Sequence, residues 1–113
     1  MKFVALAAVV AALTASSALA ATPTLNGTVG PGFTITLKQG SAKVSKLKAG
    51  TYKFVIADKS SIHNFHLKGP GVDKKTSVSS TGTTTWKITL KKGKYTFVCD
   101  PHASFMKGSF TVS

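Results

Sequence analysis

The sequence contains neither arginine nor glutamate. Its charged residues are fifteen lysines and three aspartates, which give the 113-residue chain a formal net charge of +12. Arginine makes many of the bidentate contacts by which proteins recognise bases and phosphates. Because arginine is absent and the lysines are scattered, we expect no specific nucleic-acid partner. The lysine excess fits two interpretations equally well, a surface that attracts anionic partners and a solvated exterior that keeps sheet edges apart.

Cysteine is almost as scarce, because Cys99 is the only one and no internal disulfide can form. The periodicity of amphipathic helices is also missing, since no window repeats apolar residues at the spacing of one helical face. The length suits one domain, and the composition gives no sign of a linker or an internal repeat.

One apolar run, Phe3 to Leu13, lies near the start of the chain, after Lys2 and before the small residues Ala18-Leu19-Ala20. This order is typical of a cleaved signal peptide. The run is shorter than the roughly 20 residues that span a bilayer, which disfavours an uncleaved anchor. We therefore predict a signal peptide at residues 1–20 and a mature domain at residues 21–113, periplasmic or secreted, without a transmembrane span. In such an oxidising compartment a leftover cysteine is a dimer link, a reactive thiol or a metal ligand.

Short apolar or alternating segments, separated by glycine-rich turns, predict a domain built of strands. The predicted strands are Phe33–Leu37, Ala42–Leu47, Tyr52–Ala57, Ile62–Leu67, Trp86–Leu90, Tyr95–Cys99 and Gly108–Val112. Residues 21–32 are interpreted as a leading arm and turn, and residues 72–83 as a long polar loop with a strand inside it. The pattern indicates an all-β fold, an antiparallel sandwich or barrel.

The residues with the most distinctive chemistry lie between Cys99 and Met106, a stretch that also contains His102. Thiolate, imidazole and thioether together suit copper better than other common metals. A structural zinc site usually has four strong ligands with at least two thiolates. A thiol enzyme would need an accessible thiolate and an oxyanion pocket, which a core-facing Cys99 argues against. The remaining alternative is a buried structural cysteine near unrelated histidines.

A trigonal copper site needs a second imidazole, which His63 or His66 can supply. On a strand over Ile62–Leu67 the two histidines point to opposite faces. His63 shares its face with two large apolar side chains, so we predict that His63 points into the core and His66 lies on the surface. By the same alternation Cys99 points inward.

Four segments of the sequence carry a likeness to a known family: Gly50-Thr51-Tyr52, Asp58 to Phe65 with its His-Asn pair, Gly93 to His102 with its Cys-x-Pro-His element, and Met106 to Phe110. These segments resemble the cupredoxins, and most of all the plastocyanin- and azurin-type copper proteins. The resemblance covers most of residues 33–112. It implies a Greek-key β-sandwich with one type 1 copper. It also implies the copper ligands, which are His63, Cys99 and His102 in the equatorial plane and Met106 in the axial position.

The same resemblance implies a function. We expect a monomeric one-electron carrier, not an enzyme, with a redox partner whose docking surface is acidic. The alternative is a copper-binding protein for delivery, storage or resistance outside the cytoplasm. We also expect Asn64 to hydrogen-bond near Asp100. The edge of His102 is expected in an apolar patch made of Ala103, Phe105, Pro31 and Gly69-Pro70-Gly71.

Overall fold

A computed structural model describes residues 21–113, so the predicted signal peptide lies outside the described residues. Ten strands form two five-stranded sheets that enclose one apolar core. The strands are β1 (Thr24–Val29), β2 (Ile35–Gln39), β3 (Ala42–Lys43), β4 (Lys46–Leu47), β5 (Gly50–Asp58), β6 (His66–Gly69), β7 (Val72–Lys75), β8 (Gly82–Leu90), β9 (Gly93–Val98) and β10 (Lys107–Val112).

The strand order is β3-β2-β1-β5-β8 in one sheet and β4-β10-β9-β6-β7 in the other. Most neighbours are antiparallel, but β1 runs parallel to β5 and β4 parallel to β10. Parallel neighbours of this kind require connections that cross from one sheet to the other. Such crossovers belong to a Greek-key β-sandwich and confirm the predicted fold class. Within residues 21–113 the only helical segment is one 3-10 turn, Asp100–His102, and no helix there could cross a membrane.

The predicted leading arm at residues 21–32 is wrong, because half of it forms β1 at the centre of a sheet. The inward positions of β1 are Leu25, Gly27 and Val29, and all three are buried. A Cβ atom on Gly27 would lie 2.5 Å from Ile56 Cδ1 and 3.1 Å from a ring carbon of Phe65. A side chain there would require Ile56 and Phe65 to shift. The missing side chain hides the alternation of the strand in the sequence.

Two predicted strands begin later than expected. β2 begins at Ile35, which leaves Phe33 in an exposed loop, and β6 begins at His66, which leaves His63 in a loop. The single strand predicted over Ala42–Leu47 is wrong, because the segment forms β3 and β4, which belong to different sheets. The remaining elements are close to prediction. In particular, the polar segment after β6 contains β7, and β8 reaches further back than expected, to Gly82.

Stacked aromatic rings fill the centre of the core. The Phe65 and Phe97 rings are 5.4 Å apart and nearly parallel, as are those of Tyr95 and Phe110 at 5.2 Å. Burying a large apolar side chain stabilises a fold by about 1.5–3 kcal/mol. β9 contributes two of these rings, and its alternation continues to Cys99, which is buried at one end of the sandwich. The core thereby fixes the position of the cysteine.

Candidate metal centre

The loop between β9 and β10 carries Cys99, His102 and Met106. The Cys99 amide donates to the Met106 carbonyl oxygen at 3.0 Å and closes the loop at its base. The His102 amide donates to the Cys99 carbonyl oxygen at 3.0 Å, and the Met106 amide to the His102 carbonyl oxygen at 2.9 Å. Pro101 lies in the 3-10 turn, where it needs no amide partner. The backbone of the loop is thus tied to itself around the three side chains.

His63 reaches the same end of the sandwich from the turn that follows β5. Asp58 Oδ1 accepts the Ser60 amide at 3.0 Å, and Ser60 Oγ accepts the Ile62 amide at 3.3 Å. The loop after β1 packs against this turn at Gly30, whose φ is 75° and where a Cβ would lie 3.0 Å from Ser60 Cβ. The turn delivers the His63 side chain fully buried, as predicted for an inward-pointing residue.

His63, Cys99 and His102 turn one donor atom each toward a common point. Nδ1 of His63 and Nδ1 of His102 are 3.1 Å apart, and Cys99 Sγ is 3.6 Å from the first and 3.5 Å from the second. A point in the plane of these atoms lies about 2 Å from each, near the metal bond lengths of about 2.0 Å to nitrogen and about 2.3 Å to sulfur in zinc proteins. Among residues 21–113 this is the one His/Cys/Asp/Glu cluster with metal-binding spacing.

The protonation chemistry of the three residues suits a metal. Nδ1 of His63 is the nitrogen that faces the other donors. Its Nε2 is buried and has no hydrogen-bond partner within the described part of the chain. Cys99 is also fully buried, and a bound metal removes the proton of a coordinating thiol outright. The residues present therefore fit one soft or borderline metal ion.

Met106, the predicted axial ligand, is only 1% exposed, whereas Phe105 and Lys107 on either side are exposed. Its backbone pairs with both Cys99 and His102. The side chain thus points inward beside the loop, as an axial thioether must. The close donor cluster consists of His63, Cys99 and His102, and Met106 as fourth ligand stays a prediction.

The expected bond between the two ligand-bearing segments is confirmed. Asn64 Nδ2 donates to Asp100 Oδ2 at 2.8 Å, and the Asp100 amide donates to Asn64 Oδ1 at 2.7 Å. Asn64 follows His63, and Asp100 follows Cys99. The reciprocal pair therefore holds the two backbones at a fixed separation next to the candidate ligands.

The prediction that His66 lies on the surface is wrong. His66 is 7% exposed, with Nδ1 2.8 Å from Asp100 Oδ1 and Nε2 2.5 Å from Asp73 Oδ1. It opens β6, which is paired with β7 on one side and β9 on the other. The turn after β9 covers the face that sequence alternation assigned to solvent, and local alternation does not report such a cover.

The chain has three aspartates, and two of them, Asp73 and Asp100, contact His66. The hydrogen bond from His66 lowers the pKa of Asp73. Partial burial opposes the ionisation of Asp100, but hydrogen bonds from Asn64 and His66 outweigh it and lower its pKa. Burial raises the pKa of Asp58, which precedes the turn to His63. Contact with His66 thus favours the ionised form of Asp73 and Asp100, whereas burial disfavours that of Asp58.

Phe33 is a candidate functional residue that sequence reasoning missed. Its ring lies edge-on, 5.2 Å from the His63 ring and 5.1 Å from the His102 ring, and 6.0 Å from the ring of Phe105. Both phenylalanines remain more than half exposed. The sequence did contain a signal, because Gly30-Pro31-Gly32 favours a loop over the start of a strand.

One part of the predicted apolar patch is wrong, because it lies far from His102. Gly69-Pro70-Gly71 lies at the opposite end of the sandwich. There the Pro70 carbonyl oxygen accepts a hydrogen bond from the Tyr95 hydroxyl at 3.4 Å. The Pro70 ring packs on Gly93, the first residue of β9. The patch around the partly exposed His102 consists of Phe33, Ala103 and Phe105. We call these three residues the apolar patch.

Three solved structures of rusticyanin share the fold. A methionine-to-glutamine variant is 22% identical, with a TM-score of 0.59, over 80% of this chain and 76% of that one. Reduced rusticyanin is 20% identical, with a TM-score of 0.57, over 80% and 78% of the two chains. Rusticyanin from Thiobacillus ferrooxidans is 21% identical, with a TM-score of 0.55, over 80% and 76%. No curated protein matches the sequence.

The fold and the donor atoms define a class: a β-sandwich with a metal centre of one thiolate and two imidazoles at one end. The family profile described as "Cupredoxin-like domain" matches residues 3–112, and the chain belongs to this family. The resemblance seen in the sequence is thereby confirmed. Cupredoxins bind one type 1 copper and are generally electron carriers. His63, Cys99, His102 and Met106 form a candidate site for that copper.

Proposed function

We propose that this protein is an exported carrier of single electrons, with one type 1 copper bound by His63, Cys99, His102 and Met106. The observation that carries the proposal is the convergence of the first three, whose donor atoms lie 3.1–3.6 Å apart. One thiolate, two imidazoles and a thioether are the donor set of blue-copper electron-transfer sites. When bound, copper supplies the one-electron chemistry by cycling between Cu(I) and Cu(II).

The surrounding chain holds the donors in place independently of the metal. Cys99 is fixed by its backbone bond to Met106, and Asp100 by its two bonds with Asn64. Hydrogen bonds around a metal site orient the ligands and tune their chemistry. Donors that are already held need little movement when the charge at the centre changes, which favours rapid electron transfer.

Electrons should enter and leave through His102. It is the one partly exposed residue of the donor cluster, while His63 and Cys99 are fully buried. The apolar patch surrounds its ring, with Phe33 and Phe105 at 5.1 and 5.6 Å. Weak redox encounters bury less than about 1,200 Å², so a small apolar surface of this kind suffices for docking.

The partner should present an acidic surface. Residues 21–113 contain fourteen lysines, all exposed, and three aspartates, a formal charge of +11. Complementary charge raises the rate of association more than the final affinity. This net charge already counts the three aspartates.

Export and monomeric state complete the proposal. Export is supported by the signal-peptide pattern of residues 1–20 and gives a periplasmic or secreted protein. The monomer is supported by the full burial of Cys99, which keeps its sulfur from linking two chains.

Protein-film voltammetry of the copper-loaded protein tests the function. A reversible one-electron wave should persist over many cycles while copper content, measured by atomic absorption, stays constant. Cys99→Ser should lose the wave, and Gln39→Lys, an exposed change on β2, should retain it. Release of copper on reduction would contradict electron carriage and favour a role in copper delivery or storage.

A further inference from the structure

His66 is a buried polar side chain that the copper site does not use. Its two ring nitrogens contact two carboxylates from different parts of the chain, Asp73 on β7 and Asp100 in the loop after β9. Two of the three acidic residues in the chain therefore contact this one histidine. On a surface that is otherwise lysine-rich, this pairing of two carboxylates with one buried histidine indicates a specific role.

The cluster is not a second metal site. Nδ1 and Nε2 lie on different sides of the imidazole ring, and each is occupied by its own carboxylate. The donor atoms therefore do not converge on one point. Among residues 21–113 the only cluster with metal-binding spacing is that of His63, Cys99 and His102. The contacts of His66 instead join β6 and β7 to the loop after β9. We call His66, Asp73 and Asp100 the clamp.

The two contacts join separate parts of the chain. His66 begins β6, Asp73 lies on β7 and Asp100 begins the 3-10 turn after β9. The ring of His66 is 7% exposed and lies 2.8 Å from Asp100 Oδ1 and 2.5 Å from Asp73 Oδ1. Hydrogen bonds to an ionised group are stronger than those between neutral groups, so these contacts hold the loop against the sheet.

The clamp is connected to the candidate copper ligands through Asp100. Asp100 follows Cys99 directly and begins the 3-10 turn that ends at His102. Its Oδ1 is bound by His66, while its Oδ2 and its amide are bound by Asn64. Removing the His66 contact would leave the carboxylate held on one side only, and the turn that presents both ligands would lose one of its attachments.

We propose that His66 is a positioning residue for the copper loop. Braced by Asp73, its ring fixes Asp100 and thereby the turn that carries Cys99 and His102. The effect on copper rests on the proposed function, whereas the effect on the metal-free loop does not depend on it.

The first test uses the metal-free protein and the variant Asp73→Asn. Asp73 is largely exposed, so this change should leave the core intact. Amide hydrogen exchange by nuclear magnetic resonance should quicken at His102 and Met106 by roughly threefold to tenfold, the effect of one lost hydrogen bond on local opening. The amides of β5 should be unchanged, and Asp73→Glu should restore slow exchange.

The control for charge is Gln39→Lys, which adds the same single positive charge at the end of β2 away from the loop. It should leave exchange in the loop unchanged. Equal loop exchange in wild type and Asp73→Asn would overturn the proposal.

The second test uses copper. Asp73→Asn and His66→Gln should each weaken Cu(II) binding by about tenfold, because residues that orient metal ligands typically cost about 10- to 100-fold in affinity when mutated. Each change should also shift the visible band without abolishing it. Unchanged affinity and spectrum in Asp73→Asn would overturn the proposal even if His66→Gln fails to fold. If wild type binds no copper but its loop loosens in Asp73→Asn, the clamp is supported while the proposed function fails.

Discussion

His63 and His66 lie three residues apart, are both buried, and have opposite surroundings. His63 Nδ1 faces a thiol and another imidazole, with no carboxylate in contact. Both ring nitrogens of His66 contact carboxylates. The first set of neighbours consists of sulfur and nitrogen donors that a metal ion can bind once the thiol proton is lost. The second set satisfies the ring completely and leaves no nitrogen free to bind one.

The comparison shows that burial alone does not identify a ligand. The partners of each ring decide its role: soft donors at His63 leave a place for an ion, and hard acceptors at His66 make it part of the scaffold. The two environments are joined by Asp100 and Asn64, which contact each other between them. One short segment thus provides both a candidate ligand and the clamp that holds the opposite ligand loop.

The largest expected difference is between His63→Ala and His66→Ala. His63→Ala removes an equatorial donor and should abolish the blue band and most Cu(II) affinity. His66→Ala leaves every donor in place and should lower affinity by roughly 10- to 100-fold, because it acts around the ligands. Copper titration followed by visible absorption measures both. Equal losses in the two variants would remove the distinction.

Copper should stabilise the fold in proportion to the integrity of the donor set. The candidate ligands come from two distant segments, so the site does not exist in the unfolded chain. Binding to the native state alone adds about 2.7 kcal/mol when free ligand is 100 times the Kd. Thermal unfolding of wild type should shift upward with copper, that of His66→Gln less, and that of His63→Ala hardly at all. An equal shift in all three would point to binding elsewhere.

Much of the architecture could be predicted from sequence because it depends on local pattern. Alternation and glycine turns predicted most strands, and the inward orientation of Cys99 followed from its apolar neighbours. His63 is buried as predicted, but it lies in a loop where strand alternation does not apply. β1 was missed because Gly27 stands at an inward position where Ile56 and Phe65 leave no room for a side chain.

The remaining errors concern contacts between distant parts of the chain. The burial of His66 depends on Asp100 and on the pairing of β7, neither of which is visible in the residues next to it. Placing Gly69-Pro70-Gly71 near His102 was wrong because the direction of β6 sends that turn to the other end. The four-residue donor set was predictable, since it rests on residue chemistry, and its role in binding copper stays a prediction.

The acids beside the two histidines should respond oppositely to pH in the metal-free protein. The pKa of Asp73 is lowered below its usual 3.8, so its contribution is full above that value and is lost as pH falls through the folded pKa. The pKa of Asp58 is raised, so its ionisation costs stability as pH rises. Asp73→Asn should flatten the acid side of the urea stability profile, and Asp58→Asn should stabilise the protein at neutral pH. An unaltered profile in either variant would refute that assignment.

The smallest effect should come from salt. Transfer to an acidic redox protein should slow as ionic strength rises, because the screening length is only about 10 Å at 0.1 M. Transfer to a basic redox protein should speed up. Stopped-flow mixing across a salt series measures both, and Phe33→Ser should weaken transfer without altering the salt slope, since it changes the apolar patch and not the charge. Flat profiles with both partners would mean that the lysines only solvate the surface.

The central claim is that His63, Cys99 and His102 bind one copper ion through a short thiolate bond. The most direct measurement is the visible absorption and electron paramagnetic resonance of the oxidised protein with one equivalent of Cu(II). The account predicts an intense blue band from thiolate-to-copper charge transfer, lost entirely in Cys99→Ala and for the most part in Cys99→Ser, and kept in Gln39→Lys. A colourless complex with one Cu(II) fully bound would contradict it.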